Sequence, residues 1–225
     1  MVEELVAAGL SLRLALASPA LEAGERGRAL LGALEARAPV RRVEDRVLES
    51  LAGTESPQGV LVVAEIPHRE LDEIRVEGDA TVLVLDAVQD PGNFGTLVRT
   101  AAAFGVEMVA ALPGTVDPWN PKAVRAAAGA SFRTPIVQTI APALVDWLRR
   151  HGFTIYGAEA GGIDVGGIRV PNRCALVVGN EGAGLGPAMR EAADALIAVP
   201  VAEHVESLNV GVAAGVLLYL LTRID

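Results

Sequence analysis

The chain has 225 residues, 51% of them hydrophobic, and its 28 Asp and Glu outweigh 19 Lys and Arg to give a net charge of −9. That length accommodates one large or two small domains with a real core. It has no apolar run of the ~18 residues that a membrane span needs, and the charge excludes a generally basic nucleic-acid surface. A lone Cys174 rules out an internal disulfide and suits a reducing cytoplasm. Nothing near Met1 has the basic n-region of a signal peptide. His68, His151 and His204 are too scattered for a zinc site, so no metal is expected.

In chain order, residues 1–66 read as a small α/β unit. A helix begins at Val2 and strands are expected at 12–17, 39–43 and 59–64. Leu21, Leu30, Leu31 and Leu34 mark one side of a helix over 20–36, and a short helix follows over 44–51. Residues 67–79 are polar and acidic and read as a linker. From 80 the chain alternates. Strands are expected at 81–86, 106–111, 135–138, 153–157, 174–178 and 196–199. Helices are expected at 94–104, 120–129, 141–151, 187–193 and 207–223. Such alternation predicts a parallel sheet with helices on both faces.

Three blocks within 80–225 stand out. Val82–Leu85 is a buried-strand run, broken by Asp90-Pro91-Gly92-Asn93, after which a helix carries Arg99. Taken singly, Asn93 could be a helix cap and Arg99 a solvated charge. Leu176-Val177-Val178 ends in the loop Gly179-Asn180-Glu181-Gly182-Ala183-Gly184, and Pro187 opens a helix. Glycines at a strand end let backbone approach a ligand closely. A dinucleotide-binding reading fails twice: the third small residue is Pro187, and the loop comes late in the chain. The third block is Val199-Pro200-Val201 with Ser207-Leu208-Asn209-Val210. Here Ser207 is a natural cap for a helix rich in small residues.

These three blocks, in this order and spacing, resemble the SpoU (TrmH) family of RNA 2′-O-ribose methyltransferases, part of the SPOUT superfamily. The resemblance covers about 81–223. It implies a parallel-sheet SPOUT domain with a deep trefoil knot over 80–225, which pattern reading alone would not propose because knots are essentially absent from ordinary folds. It implies a preceding small α/β domain that binds substrate RNA and here looks N-terminally truncated. It also implies S-adenosylmethionine as cofactor, held by backbone at Gly179, Val199 and Leu208. Asn93, Arg99, Glu181, Ser207 and Asn209 would converge on the ribose and its phosphate. A guanidinium stays protonated, so Arg99 is expected to grip phosphate and stabilise developing negative charge. The expected activity is methylation of an RNA ribose 2′-hydroxyl, with ribosomal RNA ahead of transfer RNA, by a cytoplasmic homodimer. The alternative is a non-catalytic cofactor- or RNA-binding relative; loss of Asn93, Arg99 or Asn209 would mark one, and all three are present.

Residues 1–75 carry nine Arg against thirteen acids, and 76–225 ten basic residues against fifteen. RNA contact therefore needs local clusters, with Arg41-Arg42, Arg149-Arg150 and Arg125 with Arg133 as candidates.

Overall fold

The computed structural model describes residues 1–53, 57–202, 204–205 and 207–222. The expected helix end at Arg223 lies outside the described residues. The chain divides into two compact units, Met1–Pro67 and His68–Asp225.

The first unit contains α1 (Val2–Ala7), β1 (Leu12–Ala17), α2 (Pro19–Glu22), α3 (Glu25–Glu35), β2 (Val40–Arg42), α4 (Asp45–Leu51) and β3 (Val60–Ala64). Its sheet runs β2-β1-β3, with β2 parallel and β3 antiparallel to the middle strand. The helix expected over 20–36 is two helices. Gly24 is extended between them and caps the second, a position glycine tolerates better than a helix interior. Ala17, Leu21 and Leu31 form the buried cluster.

The second unit follows with β4 (Ala80–Leu85), α5 (Pro91–Ala103), β5 (Met108–Ala111), α6 (Pro121–Ala126), β6 (Ile136–Gln138), α7 (Ala141–Arg150), β7 (Thr154–Asp164), β8 (Arg173–Val178), α8 (Pro187–Ala192), β9 (Ala195–Ala198) and α9 (Val210–Leu221). Leu71, Ile74 and Val76, in the stretch read as a linker, pack against this unit's core. Its six strands run β6-β5-β4-β8-β7-β9, every neighbouring pair parallel. β4 is buried throughout, as expected for a parallel sheet covered on both faces. Side chains alternate across it. Leu83 and Leu85 join α5 and α9 residues in one core. Val82 and Val84 join Leu144, Trp147 and Leu148 of α7 in the other.

Two boundaries differ from expectation in ways that build the site. β7 continues past 157 to Asp164, with a register shift against β9 between Ala158 and Ile163. This bulge carries Ala160, Gly161 and Gly162, which look like loop in sequence. α9 starts at Val210, capped by Asn209 rather than Ser207. The Asn209 side chain accepts from Gly211 N (2.9 Å) and Val212 N (3.4 Å), which leaves Ser207 outside the helix.

α5 and α9 lie side by side. A Cβ on Gly211 would stand 3.0 Å from Thr96 Cγ2, and one on Gly215 3.6 Å from Thr100 Cγ2. Phe104 and Tyr219 make the next rung, ring centroids 6.1 Å apart. Each rung advances four residues on both helices, so the two run parallel along i±4 rows and their N-terminal ends meet. On another side of α5, Gly95 seats α6. A Cβ there would fall 2.4 Å from Ala126 Cβ and 2.6 Å from Ala123 O.

Candidate active site

Asn93 and Asn209 sit at the adjoining N-terminal ends of α5 and α9. Asp90, not Asn93, caps α5, its Oδ1 accepting from Asn93 N at 2.8 Å. The Asn93 side chain is therefore free for other work. Asn209 Nδ2 donates to Asn93 Oδ1 (3.1 Å), and Asn93 Nδ2 donates to Glu181 Oε1 (2.8 Å). The polarity of this chain follows from the helix cap. Asn209 Oδ1 must accept from α9 backbone, so its amide group faces Asn93. Asn93 Oδ1 then faces Asn209, and its own amide faces the carboxylate. The three side chains form one directed relay ending on the only ionisable member, Glu181.

Glu181 is held by a loop whose anchors the sequence reading missed. Asn180 Oδ1 accepts from Gly182 N and Ala183 N, both at 3.0 Å, and its Nδ2 donates to Ala87 O at 3.0 Å. Asp86 Oδ2, at the end of β4, accepts from Gly186 N at 2.7 Å. The β4–α5 connection and the 179–186 loop are thus tied at two points. An Asn whose side chain can bond the backbone two residues on, within a glycine-rich loop, is a local turn signal that could have singled out Asn180. Gly179 closes the loop tightly: a Cβ there would overlap Gly184 carbonyl atoms at 2.3 Å.

Beside the relay lies a cavity of about 720 Å³, at the carboxyl ends of β7, β8 and β9. Ligands of open α/β sheets bind at such strand ends. Gly179, Val199 and Leu208, expected to hold the cofactor, all line it, as do Glu181, Ser207 and Asn209. Its described lining includes the carboxylates of Glu159, Asp164 and Glu181 and no Lys or Arg. Asp164 is committed to Gly166 N, and Glu159 pairs with Arg190 of α8. An apolar pocket with acidic groups on its wall fits a cationic ligand with an apolar body.

Arg99 is not brought into this group. It is exposed, does not line the cavity and bonds to no other described side chain. Six positions separate it from Asn93, which at 100° per residue puts it about 120° around the helix. It lies on the Gly95 flank, toward α6. Of the other cation clusters, Arg42 pairs with Glu22 and Glu35, Arg149 with Asp194 and Arg150 with Asp146.

Comparison with known proteins shows the family of the chain. Residues 80–219 match the model of the SpoU rRNA Methylase family, and the chain belongs to that family. It is 40% identical over 178 residues to the 23S rRNA (guanosine(2553)-2′-O)-methyltransferase RlmP of Bacillus subtilis, covering 79% of this chain and 70% of that one. It is 33% identical over 186 residues to the 23S rRNA (uridine(2479)-2′-O)-methyltransferase of Streptomyces viridochromogenes, covering 80% and 65%. The crystal structure of the SpoU methyltransferase AviRb from Streptomyces viridochromogenes, in complex with AdoMet, superposes with a TM-score of 0.88 at 29% identity. It covers 98% of this chain and 85% of that one.

Proposed function

We propose that this protein transfers a methyl group from S-adenosylmethionine to a ribose 2′-hydroxyl of ribosomal RNA. The observation that carries this reading is the Asn209–Asn93–Glu181 relay opening beside a carboxylate-walled cavity. Ribosomal RNA is preferred to transfer RNA because the relatives described above are 23S rRNA enzymes.

The cofactor suits the cavity, because its sulfonium is cationic and the wall is acidic. When bound, it supplies an electrophilic methyl group. Backbone at Gly179, Val199 and Leu208 would hold it, with Ser207 beside it at the mouth. The relay orients the acceptor: Asn93 and Asn209 each keep one amide N–H beyond the relay, able to fix a ribose oxygen. A neutral hydroxyl is a weak nucleophile and must lose its proton as it attacks. Glu181, oriented by Asn93, is placed to accept or relay that proton. Arg99, outside the relay, grips a substrate phosphate and offsets developing negative charge.

The finer architecture belongs to the same reading. The C-terminal segment is threaded to form a deep trefoil knot around the pocket, as family membership suggests. The protein acts in the cytoplasm as a homodimer. On α9, Val212, Val216, Tyr219 and Leu220 form an exposed apolar face opposite its buried one, a surface that a second copy would cover. Light scattering at micromolar concentration should give twice the chain mass.

The direct test incubates purified protein with labelled S-adenosylmethionine and either ribosomal or transfer RNA. Label should enter ribosomal RNA as an alkali-resistant 2′-O-methyl nucleotide. Label confined to transfer RNA would replace the substrate, and label in neither would reject methyl transfer.

A further inference from the structure

We propose that α5 and α6 form a phosphate-binding track for RNA, with Lys122 and Arg125 as contacts beyond Arg99; this rests on the RNA-methylation reading above. The difficulty it resolves is electrostatic. A chain of net charge −9 must bring a polyanion to an acidic-walled pocket, and binding to phosphate requires local positive surface.

Most arginines in this protein are already engaged by other groups of the chain. Arg13, Arg26, Arg42, Arg46, Arg149, Arg150 and Arg190 are in ion pairs. Arg28, Arg37 and Arg173 are bonded to backbone carbonyls. The α5–α6 region is different. Residues 91–106 and 118–145 hold Arg99, Lys122, Arg125 and Arg133 and no Asp or Glu. The carboxylates just before the two stretches are exposed but each accepts from a local backbone N–H, Asp90 from Asn93 N and Asp117 from Trp119 N. Glu107 lies beyond the other end of α5.

Packing gathers these charges. Gly95 lets α6 sit directly on α5, and Arg99 is one turn on from Gly95, on the flank facing α6. Ala123 and Ala127 are buried, while Lys122 and Arg125 are exposed. Three positions apart on a helix, they share a face. Neither side chain bonds to another described residue. Arg99, Lys122 and Arg125 therefore form a positive strip that starts on α5, about 9 Å along its axis from Asn93, and passes over α6. An RNA strand with its target ribose at the relay would lay flanking phosphates along it.

The test measures RNA binding and methyl transfer separately, on full-length protein. Binding of a fluorescent oligouridylate and of ribosomal RNA is followed across a salt series for wild type and for Lys122→Ala/Arg125→Ala. Arg150→Ala, which removes a paired cation, is the control. The double variant should bind about 10-fold or more weakly at low salt. Its log–log salt slope should flatten by about 1.4, the value for two single-strand phosphate contacts. Melting temperature and S-adenosylmethionine affinity should match wild type, since neither residue lines the cavity. An unchanged affinity and slope would overturn the track. So would a change in oligomeric mass with RNA binding intact, because the strip would then face another protein copy. Loss of RNA binding in the double variant, with no methyl transfer by wild type, keeps the track and rejects the methylation reading instead.

Discussion

At the scale of single residues, the site divides into groups whose roles can be separated. Asn209 both caps α9 and donates to Asn93. Asn209→Asp keeps the capping oxygen and loses the donor, whereas Asn209→Ala loses both. The Asp variant should melt close to wild type and lose turnover; the Ala variant should also lose ~0.5–2 kcal/mol of stability. Equal stability losses in both would deny the separation. Arg99→Ala should leave cofactor affinity unchanged and lower single-turnover rate ~10²–10³-fold, the usual loss for one charge-stabilising donor. An ordinary exposed arginine would shift stability by less than ~0.5 kcal/mol and leave the rate alone. Asn93, Glu181 and Asn209 each stand in a compact polar break beside an apolar run, but that pattern alone reads as caps and loop charges; grouping them came from the family resemblance. The 120° offset of Arg99 could have been counted along the helix, but Arg99 was expected to converge with the others. The anchoring roles of Asp86 and Asn180 were not, because their partners lie up to 100 positions away in sequence.

At the scale of elements, the close seats on α5 set where the relay can form. A Cβ on residue 211 would lie 3.0 Å from Thr96 Cγ2 and 3.2 Å from Asn209 Oδ1. Gly211→Ala should therefore destabilise by ~1–3 kcal/mol, as overpacking does, and disturb Asn209. Adding Thr96→Ser removes the opposing methyl and should recover part of both losses, which a double-mutant cycle measures. A second junction responds to acid. Asp194 accepts from Arg149 Nη1 and Ile155 N, both at 2.7 Å, tying α7 to β7. Bonding to the Arg149 guanidinium holds its carboxyl below the ordinary 3.8, against an opposing push from burial. Its folded pKa is below its unfolded one. The stabilisation is thus complete above the unfolded value and is lost as pH falls through the folded value. Asp194→Asn should flatten the acid limb of the stability profile below about pH 4, and an unchanged limb would contradict that role. The strands were readable because β-branched runs are local signals. The β7 bulge was hidden by its glycines, and the break at Gly24 by a leucine pattern that continues across it.

At the scale of the whole molecule, strand order was out of reach of local pattern. The pairing of β4 with β8 joins residues more than 90 positions apart, and the knot expectation came from resemblance alone. Cys174 lies on β8 between β4 and β7, 1% exposed, and burial raises its thiol pKa. Its labelling by a thiol reagent at mildly alkaline pH should be slow in the native state and track global unfolding as denaturant is added. Labelling at the rate of a free thiol in native buffer would show local opening instead. The parallel seating of α5 and α9 also bears on biosynthesis. Asn93 and Asn209 are 116 residues apart, and α9 is the last of the described elements to be made. At typical elongation rates roughly 6–23 s separate the synthesis of the two partners. Throughout that interval the Thr96–Thr100 face of α5 lacks its cover, and the cavity lacks its 207–213 wall. A nascent chain therefore lacks the complete cavity until its final helix docks.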